Sequence, residues 1–428
     1  MSLVLRGRRV VTPDGVRPAS VHIEGGTISR LGAWDDLGRH AEIHDADESL
    51  VMPGLVDSHV HVNEPGRTEW EGFATATRAA AAGGITTICD MPLNSIPATT
   101  TVDALAMKRR AVREQAGIEV QCIGGVVPGN TGELLPLRDA GVCAFKCFLS
   151  PSGVSEFPNV TEADLREAFP VLARTGLCLM VHAEDPSLLL PAASGPHYAD
   201  YLAARPVAAE HAAIALLIRL LEWCPTPVHV VHLSSASSLP LIRAARDRGL
   251  PLTVETCPHY LTFAAEEIPD GATHYKCAPP IRSATERNAL WDALIAGELD
   301  LVASDHSPCP PALKQTGGDF QAAWGGISSL ELGLAAVWTG ARARAIPPAR
   351  LADWMGAGPA RLVGLQHRKG KLAPGYDADL VIWDPDRSCV VDPATLRQRH
   401  HLTPYAGREL FGVVRATFSG GHPVFGRL

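Results

Sequence analysis

The sequence predicts an α/β chain in which a closed (β/α)8 barrel of TIM type is joined to a small β-sandwich built from both ends of the chain. Three observations predict it. Through the middle of the chain, eight apolar runs of strand length alternate with alanine-rich, arginine-bearing stretches of helical period. Both ends instead carry short apolar runs broken by tight-turn residues: Pro13-Asp14-Gly15 and Gly25-Gly26 at one, Gly370 to Asp384 and Gly412 to Phe418 at the other. The 428 residues also exceed what a barrel alone needs, roughly 250.

In order, residues 1–50 and 366–428 are assigned to the composite sandwich and 51–365 to the barrel. The barrel strands are expected at Val51–Asp57, Thr86–Met91, Glu119–Gly125, Val142–Phe148, Leu177–His182, Val228–Leu233, Leu252–Glu255 and Leu301–Asp305. Helices are expected around Val102–Gln115, Glu162–Arg174, Ala208–Trp223, Ser237–Arg248 and Ala284–Ala296. Strictly alternating strands and helices imply parallel strands, and eight such units suit a barrel. Periodicity alone does not show closure, so a doubly wound open sheet is the alternative.

Composition excludes several classes. The net charge is −8 and the pI about 6.1, without the basic excess that phosphate backbones require, so nucleic acid is not an expected partner. No run reaches the 18 or so uninterrupted apolar residues of a membrane span, and Arg6, Arg8 and Arg9 interrupt the start of the chain, so neither a membrane nor a secretory signal is expected. The ten cysteines sit mostly in apolar runs with no Cys-x-x-Cys pair, which fits free thiols in a reducing, cytoplasmic setting. Trp70 and Trp324 read as exposed aromatics.

In a barrel of this kind, functional groups gather at the C-terminal ends of the strands. Strand one runs into Asp57-Ser58-His59-Val60-His61, whose period of two puts His59 and His61 on one face, close enough to share a cation. Strand four ends near Lys146, strand five on His182, strand six on His232 and strand eight on Asp305. Each alone has a bland reading as a core or turn residue. Their coincidence at strand ends favours one metal-binding mouth.

Lysines are only six, and Lys146 lies in the apolar run Cys143 to Leu149, where an unpaired ammonium is costly. If burial keeps its amine neutral, Lys146 can capture carbon dioxide as a carbamate able to bridge two metal ions. Two divalent cations sharing a hydroxide would activate it for attack on a carbonyl. Asp305 could then carry the proton to the leaving nitrogen. His229, three residues before His232, is expected on the opposite face as a structural residue; His259 and His306 read equally as neighbours of the site or as packing.

These residues resemble the amidohydrolase superfamily. The pattern Pro53-Gly-Leu-Val-Asp-Ser-His-Val-His61, the barrel lysine, Val181-His-Ala-Glu184, His229-Val-Val-His-Leu-Ser-Ser235 and Ser304-Asp-His306 is similar to its cyclic-amidohydrolase branch over essentially the whole chain. The resemblance implies two divalent metal ions, with zinc the expected element: His59 and His61 on one, His182 and His232 on the other, carboxylated Lys146 bridging, and Asp305 as ligand and proton shuttle.

Within the branch, Val62-Asn63-Glu64-Pro65 replaces the arginine with which dihydroorotases follow His-x-His, and hydantoinases typically lack Glu-Pro-Gly after theirs. His61 to Phe73 and Asp90 to Pro97 look like the allantoinase group. That similarity implies a neutral cyclic amide or ureide substrate, with Asn94, Ser307 and backbone groups near Cys277 and Gly326 as its contacts. Arg67 and Glu64 are expected to shape a lid or to pair with each other. The family further implies a homo-oligomer, a tetramer or dimer. A dihydropyrimidinase or hydantoinase is the competing enzyme reading, and an inactive scaffold the non-enzymatic one.

Overall fold

The structure, a computed structural model, describes residues 2–38, 41–191 and 193–427. Its barrel strands are Leu55–Val60, Ile85–Asp90, Glu119–Cys122 continued by Gly124–Gly125, Phe145–Phe148, Leu179–His182, Val228–Val230, Leu252–Thr256 and Leu301–Val302. Each pairs in parallel with its neighbour. The ring closes where Val60 bridges His306 in parallel and the His61 N–H donates to the His306 carbonyl at 2.8 Å. An open sheet is thereby excluded.

A helix follows every strand: Phe73–Ala82, Val102–Gln115, Leu134–Asp139, Glu162–Thr175, Val207–Trp223, Leu239–Asp247, Ala284–Ala296 and Gly333–Arg342. Local chemistry sets their starts. Thr161 Oγ1 accepts from the Asp164 N–H while Asp164 Oδ2 accepts from the Thr161 N–H, a reciprocal cap worth about 1 kcal/mol. Ser283 caps Ala284–Ala296 in the same sense, accepting from Glu286 N. The stretch Tyr198–Trp223 is long and apolar enough to cross a membrane by composition. It is broken at Arg205–Pro206, and Ala213, Ile214, Leu217 and Leu221 bury its apolar face in the barrel core.

Strands from both ends form one eight-stranded sheet, in the order His422–Gly426, Glu409–Ser419, Leu380–Val390, Leu50–Pro53, Ser2–Thr12, Gly15–Glu24 and Thr27–Gly32, with Glu42–Asp45 also on Ser2–Thr12. Leu5, Val21, Ile28, Val51, Leu380, Ile382 and Phe418 share its buried cluster, the core of the β-sandwich. Lys369 ties sandwich to barrel, its Nζ 2.6 Å from Asp379 Oδ2 and 2.8 Å from Glu119 Oε2.

Three strands depart from expectation, for local reasons. The run expected as one strand at Val51–Asp57 is divided: Leu50–Pro53 belongs to the terminal sheet and Leu55–Val60 to the barrel. Gly54 makes the crossing, and a Cβ there would lie 2.4 Å from Thr86 Oγ1. The sixth and eighth strands stop early because the backbone turns left-handed at His232 (φ 41°) and Asp305 (φ 45°), which ends the ladder.

Candidate metal centre

His59, on the first strand, and His61, just beyond it, place their Nε2 atoms 3.3 and 3.5 Å from Asp305 Oδ1. Across the mouth, His182 at the end of the fifth strand and His232 beyond the sixth bring Nδ1 and Nε2 to 3.0 Å. The His59 and His232 rings lie 5.4 Å apart, joining the two pairs into one cluster. Lys146, on Phe145–Phe148, is buried with Nζ unpartnered, 5.0 Å above the Phe148 ring. Burial pushes its amine down to about 8, against the opposing pull of Asp305 and Glu255. Five strand ends thus converge on one mouth.

The surrounding hydrogen bonds fix which nitrogen atoms face inward. Glu255 Oε1 is 2.6 Å from His59 Nδ1, so the ring proton sits there and the Nε2 lone pair points at Asp305. Glu184 Oε2, 2.7 Å from His182 Nε2, holds that ring's proton and leaves Nδ1 bare toward His232. Burial works against the Glu184 charge, but the bonds from His182 and Arg205 hold its carboxyl down to about 2. His59 is pushed well below its ordinary value by burial first, then by Lys146 and its neighbouring histidines.

A lone pair that faces a carboxylate in a buried site is repelled unless a cation lies between them. Among the described residues His59 Nε2 and Lys146 Nζ have no hydrogen-bond partner, and His59, His61 and Asp305 offer ligand atoms all within 4.8 Å of one another. The donor set therefore fits divalent metal ions. Positive φ at Asn63 (67°), Asn94 (66°), His232 and Asp305 concentrates backbone strain around this mouth, the place where function tolerates it.

A cavity of about 400 Å³ opens onto the cluster and suits a small cyclic molecule. Asn94, Ser307 and Gly326 line it, and Asn94 Oδ1 is buried without a partner. The Cys277 side chain does not line it: the thiol lies 3.3 Å from the Pro279 carbonyl, and the Cys277 carbonyl accepts from Tyr201 Oη at 2.7 Å. Arg67 and Glu64 do not pair with each other. Arg67 binds Glu156 and the Asn94 carbonyl, while Glu64 Oε2 accepts from Phe73 N at the start of the first barrel helix. Trp70 and Trp324 are not free surface aromatics, for they pack edge to face at 4.8 Å, and Trp324 lines the cavity.

The remaining histidines separate by their partners. His229 faces inward, its Nε2 3.0 Å from Glu255 Oε2, so it supports the carboxylate that orients His59. His306 accepts from Ser329 N and Leu330 N at Nδ1 and faces Glu71 at Nε2, a role in holding the eighth-strand loop. His259 is buried with neither ring nitrogen partnered, near Cys257 and Asp305. Glu255 and Arg205 are functional neighbours that the sequence patterns did not single out, and Glu184 entered only as the last residue of the Val181-His-Ala-Glu184 pattern; the signal for the two acids was that each follows strand residues near the histidines.

The Amidohydrolase family profile matches residues 50–424, most of the chain. The chain belongs to the amidohydrolase family. It is 50% identical to an allantoinase of Streptomyces avermitilis over 99% of this chain and 95% of that one. It is 46% identical to the allantoinase of Saccharomyces cerevisiae over 90% and 85%. Among solved structures, an L-hydantoinase (dihydropyrimidinase) from Arthrobacter aurescens superposes with a TM-score of 0.95 at 32% identity, covering 99% of this chain and 96% of that one. Within this family the chain is a metal-dependent cyclic amidohydrolase, with a barrel and sandwich like those of the hydantoinases.

Proposed function

We propose that the protein hydrolyses the internal amide of the hydantoin ring of allantoin, giving allantoate. The observation that carries the reading is the convergence of His59, His61, Lys146, His182, His232 and Asp305 on one mouth, with inward lone pairs and an unpartnered lysine. The allantoinase relatives supply the substrate.

His59 and His61 would hold one divalent ion and His182 and His232 a second, zinc suiting these imidazole and carboxylate donors. Lys146, carboxylated at Nζ, would bridge them, an assignment its burial and lowered basicity support. Bound ions would supply Lewis acidity toward the ring carbonyl and lower the pKa of water. Asp305 takes a proton at its carboxylate and returns it to the leaving ring nitrogen. Asn94 Oδ1, held in the cavity wall by the grip of Arg67 on its carbonyl, accepts from a ring or ureido N–H. Ser307 offers its hydroxyl beside Gly326. A cytoplasmic setting accords with the ten cysteines, all unpaired thiols.

The test is reconstitution. Chelator-treated enzyme should release no allantoate from allantoin, and divalent metal with bicarbonate should restore release. Full activity in enzyme shown to be metal-free would overturn the reading. The resemblance to hydantoinase structures gives the second reading, hydantoin or dihydropyrimidine opening, which the same enzyme preparation distinguishes by substrate.

A further inference from the structure

Two of the six lysines, Lys276 and Lys314, hold one wall of the cavity, and the chemistry proposed above leaves them without a role. Lys314 ends the short helix Pro311–Lys314 and is buried. Its Nζ donates to the carbonyls of Lys276 at 2.7 Å, Trp324 at 2.7 Å and Gly326 at 2.6 Å. Those three bonds use every ammonium proton, and none goes to a carboxylate. Lys276 Nζ donates in turn to the carbonyls of Gln321 at 3.1 Å and Ala323 at 2.6 Å.

A buried ammonium without an acid partner is unfavourable, and burial pushes Lys314 down to about 8. An apolar chain of equal length would fill the space without that cost, so the three fixed carbonyls are what the ammonium provides. A planar trans peptide points its C=O and N–H in opposite directions. Pinning the Trp324 oxygen therefore turns the Gly325 N–H away from Lys314, and Gly325 lines the cavity. The wall has little freedom beyond this. The Gly326 N–H is taken by the Lys276 carbonyl at 2.8 Å, and a Cβ on Gly326 would lie 2.2 Å from the Ser307 carbonyl.

We propose that Lys314, seconded by Lys276, is a positioning residue for substrate: it fixes the 321–326 wall so that the Gly325 N–H and Ser307 form a rigid edge that receives a carbonyl oxygen of the cyclic amide. This rests on the cyclic-amide reading above. It places substrate affinity under the control of an ammonium that touches neither substrate nor metal ligand.

The experiment uses full-length, metal-loaded enzyme carrying Lys314→Met, Lys314→Ala or Lys276→Met, with kcat, KM and metal content measured together. For Lys314→Met, KM should rise at least about tenfold with kcat within about threefold and metal content unchanged, the signature of lost ground-state positioning. Lys276→Met should shift KM the same way by less. In Lys314→Ala, n-propylammonium should recover part of the lost affinity and n-propanol should not. An unchanged KM, or a fall in kcat or metal content with KM unchanged, would overturn the proposal. If the Lys314 variants do not fold, an unchanged KM in Lys276→Met decides against it. The unaltered enzyme is run first: should it open hydantoin or dihydrouracil but not allantoin, the substrate reading falls and KM is compared on that ring. If it opens none, this proposal falls with it.

Discussion

Glu255 lies at the centre of the site's orientation although it is not among the proposed ligands, and Glu255→Gln isolates its role. One carboxylate oxygen sits 2.6 Å from His59 Nδ1 and 3.3 Å from His232 N, the other 3.0 Å from His229 Nε2. Glutamine keeps the shape but turns one acceptor into an NH2 donor. If the NH2 faces His59, that ring must carry its proton on Nε2, the nitrogen aimed at Asp305, and can no longer offer a lone pair there. If it faces His229, a buried N–H loses its acceptor. A hydrogen bond to a charged group contributes about 1.5–3 kcal/mol, and losing a partner behind a metal ligand typically costs about 10–100-fold in metal affinity. Competition between the variant and a chromophoric chelator should therefore show affinity weakened about 10–100-fold, with the circular dichroism spectrum retained. Unweakened affinity both in this variant and in Glu255→Leu, which offers His59 no acceptor in any orientation, would refute the claim that Glu255 sets the His59 tautomer when both variants are folded.

Lys146→Ala should lose metal and activity together and recover partly with a short carboxylic acid; metal content equal to that of the unaltered enzyme would remove Lys146 from the bridge. Asp305→Asn should keep the fold and lose several powers of ten in turnover, because ligand and proton carrier vanish at once; near-normal turnover contradicts its role. In metal-free protein the Lys146 amine contributes stability that grows as pH rises from about 8 toward 10.5, since over that window the unfolded chain binds protons that the folded, depressed Lys146 does not, while thiols such as Cys122, Cys147 and Cys277, which burial pushes up, contribute in the opposite sense. Lys146→Met should therefore shift the change in urea midpoint between the two ends of the window toward greater loss, and an unchanged difference would contradict the burial argument. Gly54→Ala should destabilise by about 1–3 kcal/mol in the same assay because its Cβ meets Thr86, and an unchanged midpoint would show that the crossing has room.

What could be read in the sequence was what one strand or helix carries by itself. The helices expected at Val102–Gln115 and Ala284–Ala296 form over those residues, each opened by a hydroxyl cap, Thr101 and Ser283. The residues that meet at the mouth were legible because each follows an apolar run, and barrel geometry brings such ends together. The orienting partners were not, because they meet only after closure: His59 and Glu255 are 196 residues apart, His306 and Glu71 235 apart. Alternation also misled for His229 and His232. A strict period of two puts them on opposite faces, yet the left-handed turn at His232 carries its ring inward to the side that His229 already faces. Near Cys277 it is the neighbouring Ala278 that lines the cavity, while the Cys277 thiol turns into the core.

The most direct measurement is kcat/KM for allantoin beside hydantoin, dihydrouracil and dihydroorotate, with enzyme prepared in divalent metal and bicarbonate and its metal content determined in the same sample. The account predicts two metal equivalents per chain and a clear preference for allantoin. Enzyme that holds both metals yet opens another of these rings better, or none of them, would contradict it.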